Sequence, residues 1–147
     1  MKKLILVCLI LMSQSIYACS DHEEAMCLAK ALYWESRGEN ILGKLAVASV
    51  IKERVNHNQF PNTVCDVVYQ INKVSKKPEF SYNIVRNARI TEIEAWEDSK
   101  VLAHRIVSGE FKYTLAFTAL YFHSTSISPN WKSKKLVATI GRNKFYY

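Results

Sequence analysis

Apolar residues return every three or four positions in three long stretches of the chain, which is the spacing of a helix with one buried face. The first stretch predicts a helix over about Asp21–Arg37, opened by residues with capping-box spacing and closed by Gly38. The second, Ile41–Val55, is apolar nearly all round at its centre, so we expect the central buried helix there. The third predicts a helix over about Thr91–Ser108, ended by Gly109. The framework of the fold is therefore helical.

Shorter elements connect these helices. The polar run Lys52–Arg54 indicates that the second helix re-emerges into solvent at its end. Thr63 is placed to cap a short helix through about Gln70. Residues 73–90 lack a clean period and include a proline, which is typical of a long loop.

The C-terminal third brings a small amount of β-structure. Two apolar and aromatic segments flank Gly141 within residues 136–147 and predict a closing hairpin, whereas residues 113–122 are aromatic but of uncertain type. With 147 residues, 49% of them hydrophobic, the chain can bury a core and fits one domain. The pattern predicts a mainly α fold with a small C-terminal β-hairpin.

The first eighteen residues have the order of a secretory signal peptide. Two lysines precede the unbroken apolar run Leu4–Met12, and the small residue Ala18 marks the cut. We therefore divide the chain into a signal peptide, residues 1–18, and one exported domain, residues 19–147. An uncleaved anchor is one alternative, although the run is short for a bilayer span. A lipoprotein is a second alternative, because Cys19 directly follows the predicted cleavage site. In each case the predicted location is the periplasm or cell envelope.

The exported chain would keep three cysteines, Cys19, Cys27 and Cys65. An oxidising compartment favours pairs, and we expect a Cys27–Cys65 bridge because both residues fall inside predicted helices. Two inert buried thiols are the alternative. Cys19 would be left over, free or lipid-modified.

The chain is basic, with a formal net charge of +7 that becomes +5 without the two lysines of the signal. An exported basic protein is attracted to anionic surfaces such as cell wall, membrane headgroups or nucleic acid, although a merely solubilising surface is the commonest explanation of such a charge. No stacking platform is arranged for nucleic acid, so no nucleic-acid partner is predicted. The histidines have no metal-ligand spacing, and no metal or cofactor is expected.

Glu35 is the first candidate for chemistry. It falls in the last turn of the first predicted helix, where the helix dipole disfavours its ionised form, and Tyr33 and Trp34 can desolvate it. Both effects favour a protonated carboxyl that serves as a general acid. A surface glutamate without a role is the alternative. Glu39 is the obvious partner carboxylate, but it can equally start the next helix.

A second candidate region is Tyr121-Phe122-His123-Ser124, whose polar-tipped aromatic side chains can line a sugar or base site. Core aromatics with a capping histidine are the alternative. Glu110, Tyr113 and Trp131 join Tyr121 and His123 as predicted groove residues.

These residues resemble a known family. The sequence Tyr-Trp-Glu-Ser-Arg-Gly-Glu at 33–39, followed by Gly43 and an Ala/Val-rich helix, is similar to the opening of the SleB-like cell-wall hydrolases, named for a spore-cortex-lytic enzyme. Further blocks follow in the same order: Phe60–Gln70, Phe80-Ser81, Ala119–His123, Trp131, and Ile140-Gly141 with Phe145. The resemblance covers about residues 26–147.

The resemblance implies a lysozyme-like, mainly helical domain that cuts peptidoglycan between N-acetylmuramic acid and N-acetylglucosamine. It implies Glu35 as the catalytic acid of a lytic transglycosylase that forms 1,6-anhydro ends. Glu39, Ser81, Tyr121, His123 and Trp131 are then the expected substrate-binding residues. A wall-binding or inhibitory module that keeps the groove without turnover is the alternative.

The chain departs from the family pattern at four positions. Ser36 replaces a usual alanine, and Glu53 stands where asparagine is common. Glu79 replaces a frequent glutamine, and Asn143 occupies the position of a frequent histidine. An extra acid near the groove predicts altered substrate contacts or an altered pH profile.

Overall fold

Four helices and a three-stranded sheet make up the part of the chain that the computed structural model describes, which is residues 20–73, 75–80 and 89–147. The predicted signal peptide and Cys19 lie outside these residues. In chain order the elements are α1 (20–36), α2 (Ile41–Val55), α3 (Val64–Val68), α4 (Ile93–Val107), β1 (Tyr121–Ser124), β2 (Leu136–Ile140) and β3 (Asn143–Tyr146). The predicted mainly helical fold with a small β component is confirmed.

The predicted start of the second helix is confirmed to the residue. Gly38, at φ +82°, makes the left-handed turn that follows α1. Asn40 then caps α2, because its side-chain oxygen accepts a hydrogen bond from the backbone N–H of Gly43 at 3.0 Å. The centre of α2 is buried, with Val47 and Val50 fully inaccessible to solvent. This helix packs against both the helical layer and the sheet, so it is the central element of the fold.

The shorter helices follow the predicted caps with small differences in length. Thr63 accepts a hydrogen bond from the backbone N–H of Asp66 at 3.1 Å and so caps α3, which ends at Val68 rather than near Gln70. Helix α4 is close to its predicted bounds, and Gly109 follows it at φ +76°. The predicted loop over residues 73–90 falls largely outside the described residues.

The predicted disulfide is present between Cys27 of α1 and Cys65 of α3. Its Cα atoms are 5.2 Å apart, and its two cysteines are 38 residues apart in sequence. The bond attaches the short third helix to the first.

The sheet has the order β1–β3–β2, with both pairs antiparallel. The predicted hairpin is formed by β2 and β3 around Gly141, and Phe145 of β3 is fully buried against α2. The aromatic stretch of uncertain type contributes β1, which pairs with β3 so that Phe122 lies opposite Phe145. The last strand along the chain is therefore the middle strand of the sheet.

The expectation that α2 re-emerges at Lys52–Arg54 is wrong for Arg54, which is only 5% exposed. Arg54 lies seven residues after Val47 and four after Val50, so it continues the buried stripe of the helix. Lys52, by contrast, is exposed. Among the described helices, none is long and apolar enough to span a bilayer.

Candidate active site

A cavity of about 420 Å³ opens between the helical layer and the sheet. It is bounded by the ends of α1 and α2, by β1 and β3, and by the segment that follows β1. Its lining residues are Trp34, Glu35, Arg54, Glu79, Phe80, Tyr121, Phe122, His123, Ser124, Ile127, Pro129, Trp131 and Asn143. A few polar groups converge among aromatic side chains, which is the usual composition of a ligand site.

Glu35 enters this cavity from the last turn of α1, beside Trp34. The turn is stabilised by Ser36, whose buried hydroxyl donates to the carbonyl of Leu32 at 2.7 Å. The rings of Trp34 and Tyr33 are nearly perpendicular, with their centroids 4.9 Å apart. Glu35 thus lies in the last turn of α1, the predicted place, and lines the cavity together with Trp34.

Tyr33 supports this helix end from the buried side. Its phenol oxygen accepts hydrogen bonds from the backbone N–H groups of Thr91 and Glu92, each at 3.2 Å, and from Arg37 at 3.0 Å. Burial raises the pKa of Tyr33, but these N–H donors favour the phenolate and outweigh it, so that the pKa falls from 10.0 to about 8. Arg37 also forms an ion pair with Glu92 at 3.2 Å. Tyr33 therefore joins α1 to the start of α4.

Arg54 forms one wall of the cavity, and sequence reasoning missed it. Its Nε donates to the carbonyl of Leu120 at 2.7 Å, just before β1. The guanidinium carbon lies 4.9 Å from the Phe60 ring centroid, 5.6 Å from that of Phe80 and 5.5 Å from that of Tyr121. The helical stripe through Val47 and Val50 is the signal that points to this residue.

His123 lies in an aromatic cluster on β1 and is 8% exposed. Its Nδ1 is 2.7 Å from the carbonyl oxygen of Ser124, which can only accept, so Nδ1 carries a proton. In the neutral ring, Nε2 then accepts from the Tyr146 hydroxyl at 3.0 Å. The imidazole stacks on the Tyr146 ring and packs nearly perpendicular to the Trp131 ring, with ring centroids 5.2 Å apart in both pairs. His123 is thus held in one orientation.

Tyr121 and Trp131 form the aromatic rim of the cavity, and their ring centroids are 6.0 Å apart. The ammonium of Lys134 lies 3.1 Å from the Tyr121 ring centroid and 5.8 Å from that of Trp131. A cation at that distance from the ring face is attracted by its quadrupole. Lys134, which the sequence did not single out, therefore fixes the rim and adds positive charge beside the opening.

The cavity brings together four of the predicted site residues, Glu35, Tyr121, His123 and Trp131. Ser81 lies outside the described residues. Glu110 and Tyr113 are not among the described residues that line the cavity. Tyr113 packs against the helical core instead, and its burial, together with the smaller effect of the nearby Glu53, raises its pKa to about 12. Two further lining residues, Glu79 and Asn143, are positions at which the chain departs from the family pattern.

The structure does not bring Glu39 into the cavity. Its side chain is only 6% exposed and pairs with Arg142, whose Nε lies 2.9 Å from the carboxylate. The backbone N–H of Arg142 also donates to it at 3.3 Å. Gly43 and Gly141 leave the space that Glu39 fills, since a Cβ on Gly141 would lie 1.8 Å from the carboxylate oxygen. We name the contact set of Glu39, Gly141 and Arg142 the hairpin clamp, because it attaches the β2–β3 turn to the end of α1.

Within the described ranges, no group of three or more histidine, cysteine, aspartate or glutamate side chains is placed to hold a metal ion.

A family model described as Cell Wall Hydrolase matches residues 38–146 of the chain. The matched segment begins three residues after Glu35. Among curated proteins, a spore cortex-lytic enzyme of Bacillus cereus is 54% identical over 50 residues, which is 34% of this chain and 19% of that protein. The Bacillus subtilis spore cortex-lytic enzyme is 46% identical over 50 residues, or 34% of this chain and 16% of that protein. The matched part thus spans less than a fifth of the length of these relatives.

Two solved structures resemble the fold over most of the chain. The catalytic domain of a germination-specific lytic transglycosylase, SleB, from Bacillus anthracis has a TM-score of 0.63 and 28% identity, covering 84% of this chain and 93% of that one. The catalytic domain of the Bacillus cereus SleB protein has a TM-score of 0.59 and 25% identity, covering 84% and 89%.

Proposed function

Because the chain belongs to the cell wall hydrolase family, we propose that it cleaves peptidoglycan glycan strands with Glu35 as general acid. The bond cut is the one between N-acetylmuramic acid and N-acetylglucosamine. The observation that carries this proposal is the cavity itself, in which one carboxyl at a helix end faces an aromatic rim. The flat ring of Trp131 suits the C–H face of a sugar, whereas one face of the Tyr121 ring is already covered by the Lys134 ammonium, 3.1 Å from the ring centroid. The carboxyl of Glu35 lines the same cavity.

In this mechanism Glu35 donates its proton to the glycosidic oxygen, and the bond from that oxygen to C1 of the muramic ring breaks. Positive charge develops on the muramic ring. The Glu35 carboxylate then takes the proton of the ring's own 6-hydroxyl as that oxygen attacks C1. The product is a 1,6-anhydro end, no water is consumed, and Glu35 returns to its protonated form. One carboxyl is sufficient, which agrees with the location of Glu39 outside the cavity.

Hydrolysis is the competing reaction, and one observation favours testing it. Glu79 lines the same cavity, and its carboxylate accepts a hydrogen bond from the Asn72 amide at 2.8 Å. A second carboxyl is what a hydrolase needs in order to activate water or to form a covalent intermediate. The two reactions differ in their products, since hydrolysis leaves a reducing end.

The test is mass spectrometry of the soluble fragments that the exported domain releases from purified peptidoglycan. Glu35→Gln is expected to abolish release, whereas Glu97→Gln, outside the cavity, serves as the matched control. Anhydro fragments from the wild type, retained in Glu79→Gln, support the transglycosylase. Reducing fragments that disappear in Glu79→Gln mean hydrolysis. Walls that bind the protein without releasing fragments would make it a wall-binding module.

The proposed place of action is the cell envelope, with peptidoglycan as the partner. The Cys27–Cys65 disulfide supports an oxidising compartment. Contact with a membrane would arise only through a retained signal or a lipid on Cys19. The net positive charge suits a polymer that carries carboxylates.

A further inference from the structure

Arg54 has more hydrogen-bonding capacity than the protein uses. A guanidinium has five N–H donors, and the hydrogen bond from Nε to Leu120 accounts for one. In the described part of the chain, no other hydrogen bond or ion pair involves this side chain. The remaining four donors belong to the terminal nitrogens of a residue that is 5% exposed and lines the cavity. Neither terminal nitrogen is among the fully buried atoms without a partner in the described residues, so this end of the guanidinium opens to the cavity, where a ligand oxygen can accept its hydrogen bonds.

The guanidinium is also held rigidly. The rings of Phe60, Phe80 and Tyr121 contact it, and its Nε is fixed to the backbone before β1. A planar fork held in this way loses little side-chain entropy when it binds an oxygen acceptor. Arg54 therefore has the properties of a preformed binding residue, in addition to its role in joining α2 to the sheet.

The charges around Arg54 favour an uncharged acceptor. Burial lowers the pKa of Arg54, while Glu79 and then Tyr121 act in the opposite direction and favour the cation. Glu79 lines the same cavity, so an incoming carboxylate would meet a carboxylate beside the guanidinium, while Glu35 in its protonated form adds no positive charge to attract it. A neutral carbonyl oxygen accepts the same hydrogen bonds without that repulsion.

We propose that Arg54 binds the acetamido carbonyl oxygen of a sugar residue in the cavity. This inference rests on the proposed function, because both sugars of the glycan strand carry such a group. Arg54 would be a substrate-binding residue that selects N-acetylated over de-N-acetylated glycan.

The test compares kcat/KM on three wall preparations: native, chemically de-N-acetylated, and de-N-acetylated then re-acetylated. Wild type is expected to lose at least about tenfold on de-N-acetylated walls and to recover on re-acetylated walls. Arg54→Lys keeps the positive charge but lacks the fork, and is expected to discriminate much less. Arg105→Lys is the matched control: this arginine also lies over an aromatic ring, 5.3 Å from that of Phe111, but outside the cavity. It is expected to discriminate like wild type.

If Arg54 has only a structural role, Arg54→Lys would lower kcat/KM on native and on de-N-acetylated walls by the same factor, so that the ratio of the two values stays that of wild type. That result would overturn the inference. Equal wild-type rates on native and de-N-acetylated walls would also overturn it while leaving the proposed function intact. If Arg54→Lys does not fold, NMR of the Arg54 side-chain nitrogens in Glu35→Gln protein decides the question. Those signals should shift on addition of an N-acetylglucosamine tetramer and not of a glucosamine tetramer; unchanged signals at saturating tetramer overturn the inference. Absence of cleavage by wild type on every wall would instead refute the proposed function.

Discussion

Replacement of Gly141 by alanine should destabilise the protein through the hairpin clamp. Gly141 lies in the β2–β3 turn at φ +55°, a left-handed conformation that costs an alanine about 1 kcal/mol. Its added Cβ would also lie 1.8 Å from the nearer carboxylate oxygen of Glu39 and 2.8 Å from Cδ. Those distances are far inside van der Waals contact, so the carboxylate or the turn must move.

The magnitude follows from what Glu39 loses when it moves. Its carboxylate accepts from the side chain of Arg142 at 2.9 Å and from the Arg142 backbone at 3.3 Å. Hydrogen bonds to charged groups contribute about 1.5–3 kcal/mol each, but the Arg142 side chain is 68% exposed and its share is reduced by solvent. We therefore expect Gly141→Ala to lower the free energy of unfolding by about 2–4 kcal/mol in total.

Gly109 provides the matched control. It also has a positive φ, of +76°, but a Cβ there would meet nothing within 4 Å. Gly109→Ala should therefore show the backbone cost alone, about 1 kcal/mol. Urea unfolding of both variants, read by circular dichroism, measures the difference.

A double-mutant cycle separates the steric clash from other effects of Gly141→Ala. In a Glu39→Ala background the carboxylate is absent, so Gly141→Ala should cost no more than Gly109→Ala. Equal destabilisation by Gly141→Ala and Gly109→Ala in the wild-type background would refute the clamp. So would a Gly141→Ala cost that is the same with and without Glu39.

Three further predictions concern other parts of the molecule. One tyrosine should titrate near pH 8 when tyrosinate absorbance is followed, and Tyr33→Phe should remove that step. Because the pKa of Tyr33 in the folded protein is below 10.0, the stability that its ionisation contributes is fully present above pH 10 and is lost as the pH falls through about 8. Replacing Cys27 and Cys65 by alanine should lower the free energy of unfolding by about 4 kcal/mol, because the disulfide closes a loop of 38 residues and so restricts the unfolded chain. In urea titrations, dithiothreitol should lower the free energy of unfolding of the wild type by a similar amount. Lys134→Met should weaken binding of glycan fragments to Glu35→Gln protein in calorimetry by releasing the Tyr121 ring, whereas unchanged affinity would exclude Lys134 from organising the rim.

The sequence predicts best those elements whose signals are local. Helix α2 is predicted by the apolar run at its centre and by Gly38 just before it, and its bounds are confirmed at Ile41 and Val55. The hairpin follows from Gly141 between two apolar segments. The disulfide follows from the small number of cysteines, because Cys27 and Cys65 are the two that fall inside predicted helices. In each case the decisive residues are close together in sequence or belong to a very small set.

The site could be predicted only in part, because its remaining contacts are long-range. Arg54 is polar and near a helix end, which suggests exposure, but its partner Leu120 is 66 residues away. Glu39 is a second carboxylate close to Glu35 in sequence, which suggests a catalytic partner. Its carboxylate instead accepts a hydrogen bond from Arg142, 103 residues away. Periodicity locates a residue on a helix face, and it carries no information about which distant segment covers that face.

The separation of 103 residues between Glu39 and Arg142 also has a consequence for how the protein folds. Glu35 and Arg54 come from the helices of the first half of the chain, and His123 and Asn143 come from the sheet. Contacts of such high sequence separation require long loops to close, and proteins rich in them fold slowly. The helical layer can form early from local contacts, whereas the cavity exists only once β3 has inserted between its neighbours. Recovery of activity during refolding should therefore lag behind recovery of helical circular dichroism.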